Sequence, residues 1–292
     1  MTITYDFGEL LTAMVTPMEV RGSVDYDKVE ELAKYLVDND TDTIVVAGTT
    51  GESPTLVADE ILEILSSVKR AVANKAKIIM NAGSNSTESA IKYAKIAENE
   101  NVDGILSVVP YYNKPSQDGL YAHFAAIAES VSLPIILYNI PSRTGVNLLP
   151  RTIKKLYDTH KNIVGLKQSF GDLDLISEIK LLTGDDFAIY SGDDSLTLPM
   201  LALGATGVVS VASHLYGPEI KKMITLFKSG DISGARKIHE NLFFKMKKLF
   251  MAPNPVPVKA ALQKRGLIKE CVRRPLITLN DDEKAELFSV VQ

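Results

Sequence analysis

Residues 162–172 read NIVGLKQSFGD, an apolar run of Ile163, Val164 and Leu166 with a lysine set into it at position 167. Lysine is almost never fully buried without a partner or a purpose, because taking an ammonium out of water costs several kcal/mol unless its pKa falls. The run is therefore either a strand that ends in solvent or a buried strand that carries an amine for chemistry. What the rest of the chain builds around it decides between the two.

Seven further apolar runs have the same strand character: LLTAMVTP from Leu10, TIVVAG from Thr43, KIIMNAG from Lys77, GILSVVP from Gly104, PIILYNI from Pro134, FAIYSG from Phe187 and GVVSVAS from Gly207. Their starts lie about 20 to 34 residues apart, a βα spacing. Between them the apolar period changes to that of a helix, as in Val29, Leu32 and Leu36 or Leu120, Phe124 and Ile127. Continuous apolar strands alternating with amphipathic helices imply a parallel sheet covered on its outside. Eight such units point to a closed (β/α)8 barrel of the TIM-barrel class, and the first βα turn lacks the G-x-G-x-x-G of a dinucleotide-binding sheet.

The eighth run ends near Ser213, and Ile220, Met223, Ile224 and Phe227 then follow a helical period. The expected organisation is a barrel over residues 1–215 and a C-terminal helical extension over 216–292, with the prolines of MAPNPVPVKAAL making a rigid turn inside the extension. Charge argues against nucleic acid, since 32 basic and 36 acidic residues leave a net charge of -4 with no basic stripe. Cys271 stands alone, and the chain shows no secretory h-region, transit peptide or apolar stretch of membrane-spanning length. These features make a cytoplasmic enzyme the expectation.

In parallel barrels the reactive groups sit at the C-terminal ends of the strands. Here those ends carry Thr49 and Thr50 in VVAGTTGES, Tyr111 and Tyr112 in VVPYYNKP, Tyr138 and Arg143 in ILYNIPSRTG, and Lys167 itself. Strand alternation puts Ile163, Gly165 and Lys167 on one face, and Gly165 leaves room beneath a lysine stem if that face is the interior. A lysine held there is poorly hydrated, which lowers its pKa and supplies a neutral amine able to attack a carbonyl. Each residue also has a plainer reading: Lys167 can snorkel to solvent, Tyr138 can be a core residue with its hydroxyl tied to backbone, Tyr111 and Tyr112 can plug the mouth, and Arg143 can be a loop cation. Metal chemistry lacks its ligands, because His123, His160, His214 and His239 are scattered without a close-spaced pair. A phosphate site is disfavoured by Asp193 and Asp194 in the seventh loop, and GTTGES lacks G-K-[ST].

Taken together, GTTGESPTL, PYYNKPSQDGLYAHF, LYNIPSRTG, the strand-six GLK, YSGDDSLTLPMLALGATGVVSVASH and NPVPVKAAL, in this order, resemble the dihydrodipicolinate synthase family of class I pyruvate-dependent lyases over nearly the whole chain. The resemblance implies that Lys167 forms a Schiff base with the keto carbon of pyruvate, and that no separate cofactor or metal is used. It implies that Tyr138 donates and accepts protons over that carbon, linked to Thr49 and to Tyr112 supplied across a subunit interface. It assigns the pyruvate carboxylate to Thr50 and the backbone around Val209, and the carboxylate of the second substrate, L-aspartate 4-semialdehyde, to Arg143. The implied assembly is a homotetramer, a dimer of dimers, and the implied product is 4-hydroxy-tetrahydrodipicolinate on the route to lysine through diaminopimelate. The alternative within the superfamily is a lyase acting on a sialic acid or a 2-keto-3-deoxy sugar acid.

Two departures stand out. After the lysine this chain has Gln168 and Ser169, where most of the synthases carry an acidic residue and a small apolar one; alternation turns Gln168 away from Lys167. In feedback-regulated relatives lysine binds beside the tyrosine pair through an asparagine, a glutamate and polar side chains on the helix after GTTGES. This chain keeps Ser53, Asn85 and Tyr111 but has Ala58, Ile61 and Ser89 at the remaining places, so weak or absent lysine inhibition is expected.

Overall fold

The structure is a computed structural model and describes residues 5–291. All eight apolar runs become strands: β1 Leu10–Ala13, β2 Thr43–Val46, β3 Lys77–Asn81, β4 Gly104–Val108, β5 Ile135–Asn139, β6 Ile163–Gln168, β7 Ala188–Ser191 and β8 Gly207–Ser210. They hydrogen-bond in chain order and close into a barrel, with parallel pairing wherever the register is described. Every residue of β1, β2, β5, β6 and β8 is buried. One face meets the barrel interior and the other the helices, which is why these strands read as continuous apolar runs with no alternation.

The helical periods fall where the sequence puts them. Val29, Leu32 and Leu36 are buried on helix Tyr26–Asp38, and Leu120, Phe124 and Ile127 on helix Gln117–Ser130. Asp25, Ser86, Ser116 and Asp172 cap helices that follow strand-end loops, each accepting a backbone N–H at the helix start. The Asp172 cap fixes where the loop after Lys167 ends, through its bond from the Leu175 N–H at 3.2 Å.

The last strand is shorter than the sequence suggests. Ser210 Oγ accepts the Ser213 N–H at 2.8 Å, so the chain has already turned into helix Ser213–Lys228 where a longer strand was expected. The C-terminal extension continues with helices Ile232–Lys248, Val256–Lys264 and Asp281–Phe288.

By compactness the chain divides into two units. The first comprises the chain up to Gly8 with Ile78–Val209, and the second comprises Glu9–Lys77 with the chain from Ser210 onward. In the second unit helix Ser213–Lys228 packs on β1 and on helix Tyr26–Asp38. The approach is close at Gly217, where an added Cβ would lie 2.3 Å from Asn39 O.

Candidate active site

Within the first unit, β6 places Lys167 between two tyrosines, because the parallel register pairs it with Tyr138 of β5 on one side and Tyr190 of β7 on the other. Lys167 Nζ stands 4.3 Å from the centre of the Tyr138 ring. The three residues are 6%, 4% and 1% exposed, and among the described residues no carboxylate pairs with the amine. Gly165 turns out to serve the sheet itself: an added Cβ would lie 2.6 Å from Ala188 O, so β6 and β7 come together only with glycine there. Gly192, just after β7, is similarly constrained, since an added Cβ would lie 1.8 Å from Ser169 Oγ and 3.0 Å from Lys167 Cε.

The opposite face of the same strands carries a buried polar network. Asn139 Nδ2 donates to Gln168 Oε1 at 3.0 Å and to Asn147 Oδ1 at 2.7 Å, while Asn139 Oδ1 accepts the Leu148 N–H at 3.0 Å. Gln168 therefore points away from Lys167 and joins β5, β6 and the loop beyond Arg143. Arg143 itself is exposed on the single turn Pro141–Thr144 that follows β5. Gly145 closes that turn at φ 72°, and the Lys114 stem lies over it.

Tyr111 and Tyr112 follow β4 in a loop tied down by Asn113, whose Nδ2 donates to Asn85 O at 2.8 Å. Tyr112 is 89% exposed and sits at φ 74°, a left-handed conformation that is costly for a bulky aromatic residue. Val209 is buried in β8.

The second unit holds the two threonines after β2. Thr49 is half-buried and Thr50 is buried, with Thr50 Oγ1 accepting from Asn254 Nδ2 at 2.9 Å. Gly51 O accepts from the Thr16 hydroxyl at 2.7 Å, and Glu52, left-handed at φ 59°, is held by Lys259 Nζ and by the Arg273 N–H. Lys259 is 0% exposed and also donates to Cys271 O at 2.7 Å. Burial pulls its pKa below the ordinary lysine range, against the pull of Glu52.

Sequence reasoning missed Tyr190, Asn139 and Asn254. Tyr190 has a sequence signal, since it ends an apolar run just as Tyr138 does. The two asparagines have none, because their partners become neighbours only when the chain folds. Among the described residues no group of histidine, cysteine, aspartate and glutamate side chains could hold a metal ion, and no helix is long and apolar enough to cross a membrane.

A buried, carboxylate-free lysine beside a tyrosine suits carbonyl chemistry through an imine. The chain is 50% identical over 274 residues, 94% of its own length and 93% of the relative's, to a 4-hydroxy-tetrahydrodipicolinate synthase of Desulforamulus reducens. It is 48% identical, over 98% of its length and 99% of the relative's, to the enzyme of that name from Bacillus subtilis. The crystal structure of DHDPS from Cyanidioschyzon merolae with lysine bound superposes with a TM-score of 0.95 at 48% identity, covering 97% of each chain. The model of the dihydrodipicolinate synthetase family matches residues 6–292, and the chain belongs to that family.

Proposed function

We propose that this chain is a 4-hydroxy-tetrahydrodipicolinate synthase that condenses pyruvate with L-aspartate 4-semialdehyde, a step of lysine biosynthesis through diaminopimelate. The observation that carries the reading is Lys167, buried without a carboxylate and lying 4.3 Å from the Tyr138 ring in the adjacent strand. The amine adds to the keto carbon of pyruvate, and loss of water leaves a protonated imine on Lys167. The imine withdraws electrons from the methyl carbon, which gives up a proton to become an enamine near neutral pH. The enamine carbon attacks the aldehyde, forming the new carbon–carbon bond, and Tyr138 returns a proton to the resulting alkoxide. The amino group of the semialdehyde part then attacks the imine carbon, closing a six-membered ring as Lys167 leaves.

In this reading Thr49 and Tyr112 relay protons to and from Tyr138, Thr50 and the Val209 backbone hold the pyruvate carboxylate, and Arg143 binds the semialdehyde carboxylate. An exposed arginine on a strand-end turn suits a small charged acceptor, whereas a sialic acid or sugar acid would call for an array of hydroxyl-binding groups. The exposure and strained backbone of Tyr112 support its use by a neighbouring subunit, and with it a homotetramer built as a dimer of dimers.

Steady-state turnover with pyruvate and L-aspartate 4-semialdehyde, set beside turnover of a sialic acid and a 2-keto-3-deoxy sugar acid, tests the assignment. The semialdehyde is expected to be the only efficient acceptor. A higher kcat/KM for either sugar acid would contradict it.

A further inference from the structure

The C-terminal extension makes a series of contacts with one short stretch of the second unit, the GTTGESPTL segment after β2 and the start of the helix that follows it. Asn254 bonds Thr50, Lys259 and the Arg273 N–H take the two oxygens of Glu52, and the Arg273 guanidinium bonds Thr55 O and Glu60. The Lys259–Glu52 pair is almost entirely buried, at 0% and 2% side-chain exposure. Such a pair adds little net stability compared with apolar residues of similar size, but it admits few geometries. The segment it anchors contains a residue held in a left-handed backbone conformation, Glu52, two positions from Thr50. This arrangement fixes where the Thr50 hydroxyl lies.

Asn254 then fixes how that hydroxyl points. A threonine hydroxyl has one hydrogen to give and two lone pairs with which to accept. Thr50 Oγ1 accepts from Asn254 Nδ2 at 2.9 Å, so its own hydrogen remains available for a second partner. Asn254 is 8% exposed, and its Oδ1 is buried with no partner among the described residues. An unsatisfied buried carbonyl is costly, and its retention fits a residue kept for what its other end does.

We propose that Asn254 is a positioning residue for pyruvate: it occupies an acceptor lone pair of Thr50 and thereby aims the Thr50 hydrogen at the substrate carboxylate. This rests on the reading of Thr50 as a carboxylate ligand. Asn254 itself does not touch the substrate. Its contribution is a donor oriented before pyruvate arrives, so it acts on pyruvate affinity and leaves the chemical steps after imine formation nearly unchanged.

The test compares Asn254→Ala, Asn254→Asp, Thr50→Val and the Thr50→Val/Asn254→Ala double variant by steady-state kinetics in both substrates. Asn254→Ala should raise the pyruvate KM about 3-fold to 10-fold, with kcat at saturating pyruvate and the semialdehyde KM nearly unchanged. Asn254→Asp keeps the size and the turn but turns the donor into an acceptor, so Thr50 spends its hydrogen on the aspartate. The pyruvate KM should then rise by roughly 10-fold or more, and this variant gives the answer even if the alanine variant does not fold. The double variant should be no worse than Thr50→Val alone. If Thr50→Val raises the pyruvate KM while both Asn254 variants leave it unchanged, the positioning role is wrong and the Thr50 reading stands. Thermal destabilisation of Asn254→Ala with an unmoved pyruvate KM would also overturn it, as the mark of a purely structural residue. An unchanged pyruvate KM in Thr50→Val would overturn the carboxylate reading itself, and this inference with it.

Discussion

Two lysines are buried among the described residues, and they differ in what surrounds them. Lys259 meets Glu52 and the Cys271 carbonyl, so its charge is answered inside the protein. Lys167 meets the ring of Tyr138 and no carboxylate, which leaves it suited to act as a nucleophile. Only Lys167 was legible in the sequence, because a charge interrupting an apolar strand is visible locally. Lys259 sits in a helical period, VPVKAAL, and its partner is 207 residues away. In the proposed reaction, proton transfer at the imine falls to the tyrosine beside it. Tyr138→Phe should therefore lower kcat by roughly 100-fold to 10,000-fold, the range of general acid–base groups, with the fold intact by circular dichroism. A loss of less than about 10-fold would remove Tyr138 from the proton path.

At the level of elements, the eight strands were readable because each is buried on both faces, while the contacts that lock them together were not. Asn139 is fully buried on β5 and makes three hydrogen bonds, to Gln168 on β6 and to the loop beyond Arg143. Asn139→Ala leaves buried partners unsatisfied and should cost about 2 to 4 kcal/mol, read as a lower urea midpoint at unchanged m. A cost below about 0.5 kcal/mol would contradict the network's role. His214 joins the start of the helix after β8 to the chain after β1: its Nδ1 donates to Val211 O, and its Nε2 accepts the Val15 N–H at 3.1 Å. Protonation would destroy that acceptor. Burial pushes the pKa of His214 down to about 4, and that of His123, which is 5% exposed and bonded to Thr87, also to about 4. Both values are depressed from an unfolded value near 6.5, so at acid pH the unfolded chain binds protons that the folded chain refuses. Stability should be full above about pH 6.5 and fall between there and about pH 4, by about 2 kcal/mol per histidine at pH 5. Urea midpoints at pH 7 and pH 5 check this, and His214→Gln should flatten the dependence.

For the whole molecule, the order and number of βα units announced the barrel, but the compact units group the C-terminal helices with the first two βα units, a grouping that no local pattern signals. Regulation also belongs to this scale, because the family resemblance implies an effector site between subunits. Ile61 is buried on its helix, Ala58 begins that helix, and Ser89 carries no charge. A diamino effector loses its main anionic partner and polar contacts there, at about 1.5 to 3 kcal/mol for each charge-assisted bond. Two such losses weaken binding by roughly 100-fold or more. L-Lysine should therefore inhibit weakly or not at all, whereas strong inhibition at sub-millimolar lysine would show that another anion, such as the exposed Glu88 one residue away, completes the site.

The imine proposed on Lys167 can be trapped chemically. Borohydride reduction of the protein in the presence of pyruvate, followed by peptide mass mapping, should add one pyruvate-derived group at Lys167 and at no other lysine. The Lys167→Arg variant should stay folded and unlabelled, because a guanidinium remains protonated and cannot attack the carbonyl. Label on a different lysine, or no label while the wild-type protein turns over, would contradict an imine at Lys167.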